Sequence, residues 1–335
     1  VTGRDARRAA EATFARALKI HPEDAHLRHG YGLQLVKNGE PDLARRALRT
    51  AALRGLSEAL YSLGRLEELE GRPDAARLAY RRACGQAVLP NATSRKRVRE
   101  GDPPLQRWMS WARFEEVTCR DKQAAAQIYR SASVRFPREA EINVQWARLE
   151  DDPDYARQIL EVALAQQPRN ARVWRALGEL EAVTAASYYY DASDADPSDL
   201  YHAEKRFHAA RRAFYRGARC SIGGADLVAL VHNWAYAEWG LGHVRGAPRG
   251  QPSTPSGVRR ARRLLIWAAR LARRHPSTKP WVSYGRANLE ATCSGDARAA
   301  RRAACFAIRY AARVDDFETA GRAWRLLGRL DRGAR

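Results

Sequence analysis

Apolar residues recur three and four positions apart along most of the chain, and charged residues fill many of the positions between them. Ala156, Ile159, Leu160, Ala163 and Leu164 show this pattern, which places one apolar stripe along one side of a helix. The sequence contains no strand-length run in which apolar and polar residues strictly alternate. The pattern therefore predicts an all-α protein.

Short motifs repeat within the chain. A five-residue motif, Trp-Ala-x-x-Glu, stands at residues 111–115, 146–150 and 234–238, with a degenerate copy at 286–290. A second motif, Trp-x-x-Leu-Gly, begins at Trp174 and again at Trp324. Repetition at intervals of tens of residues is typical of proteins built from stacked helical units.

Each motif helix is followed by a second helical segment that opens with Ala-Arg. These dipeptides are Ala44-Arg45, Ala76-Arg77, Ala156-Arg157, Ala210-Arg211, Ala261-Arg262 and Ala300-Arg301. A proline, which cannot continue a helix, often closes the second segment, at Pro22, Pro137, Pro168 and Pro276. The unit is a helical hairpin of 31–35 residues. We predict a right-handed α-solenoid of roughly eight hairpins, the first without its leading helix and the last without its second helix.

Charge divides the chain near residue 200. The 335 residues carry 59 Lys and Arg against 38 Asp and Glu, a net charge of +21. Residues 1–200 hold 32 basic and 29 acidic side chains, whereas residues 201–335 hold 27 and 9. The 53 arginines against 6 lysines suit a GC-rich genome, but codon bias acts evenly along a chain. The segregation therefore favours a near-neutral part, 1–200, and a functional basic part, 201–335.

Three segments rich in Gly, Pro, Ser or Asp interrupt the repeats and are predicted to be surface loops: 91–104, 186–200 and 243–257. The first holds a secondary basic candidate for binding RNA or an acidic protein, although a solvated loop explains it equally well. Its residues are Arg95, Lys96, Arg97 and Arg99. The second holds Tyr188, Tyr189 and Tyr190, which could stack on bases. The aspartates that follow favour a packed loop or a protein contact there.

On these residues the chain resembles the half-a-TPR repeat family, a relative of the tetratricopeptide repeats. The Trp-Ala-x-x-Glu helix, the Ala-Arg helix and the closing proline match the family pattern over most of residues 5–331, most strongly at 105–183. The Trp-x-x-Leu-Gly units look more like ordinary tetratricopeptide repeats. The resemblance implies RNA metabolism, since known half-a-TPR proteins include splicing and 3′-end cleavage scaffolds and chloroplast proteins that bind and protect transcripts. The pattern here looks most like the chloroplast group.

The repeated motif residues have a structural interpretation. Trp111, Trp146 and Trp234 fall on the buried sides of their helices, where packing explains an indole better than base stacking does. A Glu and an Arg recur from unit to unit, and an ion pair within each repeat would explain both. The residues concerned are Glu115, Glu150, Glu238, Arg157, Arg211 and Arg262.

Arginines recur at fixed positions of the last three second helices. Counted from Ala210, Ala261 and Ala300, position +2 is Arg212, Arg263 and Arg302, and position +9 is Arg219, Arg270 and Arg309. Seven residues make two helical turns, so each pair shares one side of its helix. Position +13 adds Arg274 and Arg313. Few acidic residues are nearby to neutralise this ladder, which favours phosphate binding over a merely solvated helix side.

The sequence shows no enzymatic, cofactor or metal motif. It has no phosphate-binding glycine loop and no nucleophile elbow, and its histidines lack a complete ligand set. We therefore predict no enzyme, no cofactor and no small-molecule substrate. No apolar run is long enough to cross a membrane, so no membrane insertion is expected.

Five cysteines in no CxxC arrangement indicate a reducing intracellular compartment, and the resemblance favours a chloroplast or mitochondrion over the nucleus. Val1 at the start predicts either a removed targeting segment or a start within a longer protein. Three functions remain open. They are an organellar RNA-binding factor, a scaffold subunit of a large ribonucleoprotein that contacts other proteins, and a peptide-binding adaptor.

Overall fold

The computed structural model describes residues 3–85, 104–191, 197–221, 223–246, 255–294 and 296–332. All regular structure in these ranges is helical, and no strand occurs in them. The all-α prediction is confirmed. The basic candidate Arg95, Lys96, Arg97 and Arg99, and the predicted loop around it, lie almost wholly outside the described residues.

The chain divides into two compact units, Val1–Glu150 and Asp151–Arg335. The first unit contains α1 (Gly3–Ile20), α2 (Ala25–Asn38), α3 (Pro41–Leu53), α4 (Ser57–Leu69), α5 (Pro73–Ala83), α6 (Leu105–Arg113), α7 (Lys122–Arg135) and α8 (Ala140–Leu149). The second contains α9 (Pro153–Gln166), α10 (Ala171–Asp191), α11 (Pro197–Cys220), α12 (Gly224–Gly246), α13 (Pro255–Leu271), α14 (Lys279–Leu289), α15 (Ala297–Ala311) and α16 (Phe317–Arg332). The division predicted near residue 200 is a division of charge. The boundary at residue 150 is one of packing and does not test it.

The helices alternate in the predicted order. Even-numbered helices carry the tryptophan motifs and are called first helices here. Odd-numbered helices, which include those that contain Ala-Arg, are called second helices; the dipeptide lies within these helices rather than at their start. Within each unit every helix packs on the next along the chain, as in an α-solenoid. Three first helices also contact the following first helix in the described chain: α2 contacts α4, α10 contacts α12 and α14 contacts α16.

The alanine of Ala-Arg is the close-packing point of the second helix. It is completely or almost completely buried at Ala44, Ala76, Ala156, Ala210, Ala261 and Ala300. A methyl group lets the helix backbones approach closely, which a longer side chain would prevent. This requirement explains why the same small residue recurs although the surface around it varies.

Local residues fix the helix boundaries. Prolines stand in the first turn of α3, α5 and α9, where a missing N–H costs nothing. The side chains of Asp24, Asp121 and Asp296 cap α2, α7 and α15 by accepting backbone N–H bonds. The predicted closing prolines follow the ends of α1, α7, α9 and the short 3₁₀ turn after α13.

Two predicted loops are shorter than expected. α10 continues to Asp191 because Tyr189 is buried, and α11 already begins at Pro197, so residues 186–191 and 197–200 are helical. α12 likewise extends to Gly246 and α13 begins at Pro255 within the predicted loop 243–257. Pro197 and Pro255 read as helix breakers in the sequence, but each opens a helix, the position where proline is well tolerated.

Candidate nucleic-acid interface

Most of the repeated Glu and Arg residues form ion pairs between successive hairpins; Glu150 instead accepts a hydrogen bond from Trp146 Nε1. Arg262 on α13 donates from Nε and Nη2 to the two oxygens of Glu290, just past α14, at 2.8 and 2.7 Å. Two bonds also join Arg77 to Glu115 and Arg211 to Glu238. Arg45 and Arg157 each donate from Nε alone to Glu67 and Glu181. We call these the clamp pairs. The prediction of a pair within each repeat was wrong, because the arginine points towards the first helix that follows it rather than the one before.

The clamp carboxylates are deeply buried, between 1 and 4% exposed. Burial raises the pKa of Glu181, and the hydrogen bonds from Arg157 oppose that effect. The hydrogen bond to Glu290 is the main reason why the pKa of Arg262 is raised. The motif tryptophans add a second donor, since Trp111 and Trp234 each donate Nε1–H to the Glu four residues on. The motif residues are therefore structural, as expected.

The eight predicted ladder arginines are all exposed, in contrast to the clamp arginines beside them: Arg212, Arg219, Arg263, Arg270, Arg274, Arg302, Arg309 and Arg313. None of them forms an ion pair with a carboxylate in the described ranges. In each of the last three second helices, two consecutive arginines therefore have different roles. Arg211, Arg262 and Arg301 bind carboxylates, whereas Arg212, Arg263 and Arg302 point to solvent.

In α11, α13 and α15 an exposed aromatic ring lies between the two ladder arginines. These rings were not predicted from the sequence. Tyr215, Trp267 and Phe306 are 51, 37 and 48% exposed. The guanidinium of Arg219 lies 5.8 Å from the Tyr215 ring centre, and that of Arg309 lies 6.0 Å from the Phe306 ring centre. The signal was present in the sequence as an aromatic residue at position +5 or +6, between the arginines at +2 and +9.

A basic groove of about 470 Å³ opens at Arg302, between α13, α14 and α15. Arg273, Lys279 and Arg286 join Arg302 around it, and no carboxylate lines it among the described residues. Phe306 and Tyr310 form its aromatic wall, with ring centres 6.2 Å apart and planes 19° from parallel. Lys279 Nζ lies 5.4 Å from the Tyr310 ring centre.

A mixed groove of about 570 Å³ lies between α9, α10 and α11. Arg212 lines it at the same position of the repeat that Arg302 occupies in the basic groove. Asp154, Glu161 and Glu181 line it as well, and Asp154 and Glu181 pair with Arg157 and Arg206. The mixed groove therefore neutralises most of its own charge, whereas the basic groove does not.

In the part of the chain that the structure describes, no three histidine, cysteine or acidic side chains are grouped so as to hold a metal ion. Nor does any described helix combine the length and apolarity needed to cross a bilayer.

Comparison with known proteins adds a limited fold likeness. No protein-family model matches the sequence, and no curated protein matches it. A solved structure of the C-terminal part of a TPR repeat-containing protein from Cytophaga hutchinsonii is 13% identical, with 84% of this chain and 95% of that chain covered and a TM-score of 0.48. Yeast Tom70 is 15% identical over 96% of this chain and 59% of its own, with a TM-score of 0.48. YrrB, described as a TPR protein with an unusual peptide-binding site, is 14% identical over 60% and 96%, with a TM-score of 0.36.

Proposed function

We propose that the chain is a non-enzymatic helical-repeat protein that binds single-stranded RNA through the exposed sides of α11, α13 and α15. One observation carries the proposal. Each of these three successive second helices presents two exposed arginines that pair with no carboxylate of the described residues, with an exposed aromatic ring between them. We call this surface the arginine–aromatic ladder. Its biological setting, the stability, processing or translation of organellar RNA, is supported only by the resemblance to half-a-TPR proteins.

The chemistry of the ladder suits a flexible single strand. A guanidinium group presents two parallel N–H donors that match phosphate oxygens, so the arginines would hold the backbone. Exposed aromatic rings stack on bases without regard to sequence, which contributes about 1–3 kcal/mol per base. Bases in a duplex are already stacked on one another, so only an unpaired strand can use both features.

The aromatic residues favour RNA over a peptide of acidic and polar residues. Such a peptide would pair with the arginines, but it would leave the rings of Tyr215, Trp267 and Phe306 without a partner. The ribonucleoprotein-scaffold alternative uses the same contact with RNA and adds protein contacts elsewhere. Both alternatives are outcomes of the following experiment.

The test compares two triple variants of the full chain. Arg212, Arg263 and Arg302 are replaced by Gln in the ladder variant, and Arg46, Arg82 and Arg130 are replaced by Gln in the control. The control arginines are exposed residues of α3, α5 and α7, so both variants lose three charges. Binding to a fluorescent 20-nucleotide single-stranded RNA is followed by anisotropy over a salt series. Helical content is checked by circular dichroism.

The ladder variant should bind more weakly, with a log–log salt slope reduced by about 2, since each lost single-strand phosphate contact removes about 0.7. The control should keep the wild-type slope. Equal losses in both variants would mean that net charge alone attracts RNA. A wild-type chain that binds no RNA but captures an acidic peptide would establish the adaptor function instead. Co-sedimentation with a large particle without RNA affinity would favour the scaffold.

A further inference from the structure

Helix α16 presents an apolar stripe to solvent. Phe317 and Trp324 are 78 and 62% exposed, and Gly321 and Gly328 lie on the same side of the helix. The opposite side is buried through Thr319, Ala323 and Leu326. A tryptophan and a phenylalanine on one exposed side make a large apolar surface for a single helix. We call this side, with its flanking residues, the α16 face.

The motif Trp-x-x-Leu-Gly occurs in α16 and in α10, and α10 shows what covers it. A Cβ atom added at Gly178 would lie 2.6 Å from the ring of Phe214 on α11, so that ring occupies the space a side chain would need. We call such a space beside a helix glycine a socket. Trp174 lies beneath the neighbouring turn of α11, with the guanidinium of Arg216 5.2 Å from its ring centre. In the first helix α10 the motif is therefore a filled docking site for a helix.

The equivalent socket in α16 is open. A Cβ atom added at Gly328 would meet no atom of the described residues within 4 Å, and the same is true of Gly321. Glycines of other first helices are filled like Gly178, since Gly32 holds Leu48 and Gly64 holds Tyr80. Gly30 and Gly240 also face a large side chain of an adjacent helix, Phe14 and Phe207 respectively. The shape of the α16 face therefore suits a helix with a large apolar residue.

The charge around the open socket selects the partner. Arg322, Arg325, Arg329 and Arg332 line the groove of about 560 Å³ beside Gly328. Only Arg322 pairs with a carboxylate among the described residues, Glu318. The position that Arg329 takes in α16 is held in α10 by Glu179, which accepts a hydrogen bond from Asn233 on α12. The groove beside Gly328 therefore carries a cation where α10 carries a carboxylate.

We propose that the α16 face binds an acidic amphipathic helix of a partner protein. A Phe or Leu of that helix enters the socket at Gly328 and packs against Trp324. Its carboxylates pair with Arg325 and Arg329. This site is separate from the arginine–aromatic ladder and does not depend on RNA binding. Recognition by an apolar anchor within a charged rim is a common way to bind a helix in a groove.

The probe is a fluorescent peptide of residues 203–219, the segment of α11 that contains Phe214, with its six Lys and Arg replaced by Glu. It keeps the side chain that fills the socket in α10 and supplies the acidic flank. Binding to the full-length chain is measured by anisotropy. Two peptide controls are the same segment with its natural basic residues and the acidic peptide with Phe214 replaced by Ala.

Three protein variants complete the experiment. Gly328→Leu fills the socket and should fold normally, because the site is open and Leu favours a helix more than Gly does. The double variant Arg325→Gln and Arg329→Gln removes the basic flank. Arg302→Gln is a control for a single lost charge elsewhere, since it removes a ladder arginine and leaves the α16 face intact.

The acidic peptide should bind saturably to the wild type and to Arg302→Gln. We expect affinity to fall about tenfold or more with Gly328→Leu, with the double variant and with either control peptide. Binding that survives Gly328→Leu, or that disappears with Arg302→Gln, would overturn the proposal, as would no binding to the wild type. Self-association of the chain that Gly328→Leu abolishes, without peptide binding, would assign the face to a second copy instead.

Discussion

The mixed groove and the basic groove occupy equivalent places in the repeat and differ in charge. Both lie between two second helices and the first helix that connects them, and both include the arginine two residues after the buried alanine. The mixed groove adds Asp154, Glu161 and Glu181, whereas the described lining of the basic groove contains only cations, uncharged residues and aromatic rings. The same architecture therefore supports one largely neutralised surface and one that attracts anions.

The comparison separates residues that stabilise the repeat from exposed residues that are candidates for binding RNA. Arg157–Glu181 in the mixed groove and Arg262–Glu290 near the basic groove are the same clamp, and the buried alanines are the same packing points. The exposed positions beside them are free to vary. Under the proposed function, RNA is bound by the second arginine of each Arg-Arg dipeptide and by the aromatic residue that follows it.

The largest expected effect is on stability, and it distinguishes the consecutive residues Arg262 and Arg263. Arg262→Gln leaves Glu290 buried without its charged partner, so the free energy of unfolding should fall by about 2–4 kcal/mol. This loss is somewhat smaller than for a fully buried pair because Arg262 is partly exposed. Arg263→Gln removes an exposed, unpaired arginine and should change stability by less than about 0.5 kcal/mol. Urea unfolding followed by circular dichroism measures both.

The same two variants should have the opposite ranking in RNA affinity. At temperatures where both remain folded, Arg263→Gln should weaken RNA binding and Arg262→Gln should leave it nearly unchanged. If Arg263 proves as important for stability as Arg262, the distinction between building and binding arginines is wrong.

The sequence alone predicts the repeat, its order of helices and the ladder arginines, because these depend on periodicity. Buried alanines, closing prolines and arginines at +2 and +9 all recur at a fixed spacing, so counting along the chain finds them. The ends of α10, α11, α12 and α13 were not predicted, because a proline marks the end of one helix and the start of another equally well.

Tertiary geometry decides what the sequence leaves open. The spacing of Glu238 and Arg262 allowed a pair within one repeat, but the packing of successive hairpins joins Arg211 to Glu238 instead. The basic groove could not be predicted from the sequence either. Its residues Arg273, Lys279 and Arg286 come from different turns and helices and meet only after folding. The open socket at Gly328 differs from Gly178 only in what lies next to it.

The aromatic wall provides the second test of the comparison. Phe306→Ala removes a stacking surface and leaves every cation of the basic groove in place. RNA affinity should fall by about 1–3 kcal/mol, with little change in the salt slope, because no phosphate contact is lost. Tyr201→Ala is the control, since Tyr201 is an exposed aromatic residue of α11 outside the ladder. An equal effect of both substitutions would remove the special role of the ladder rings.

The smallest expected effect concerns the mixed groove. Glu161 is an exposed carboxylate in the groove that Arg212 lines, so it competes with phosphate for the local positive charge. Glu161→Gln should strengthen RNA binding by less than about 1 kcal/mol, and the gain should shrink as salt screens it. Asp74→Asn on α5 removes the same charge from an exposed position outside both grooves. A gain in RNA affinity with Glu161→Gln alone would show that RNA reaches the mixed groove. Equal gains with both substitutions would reflect net charge and would mean that RNA does not contact the mixed groove.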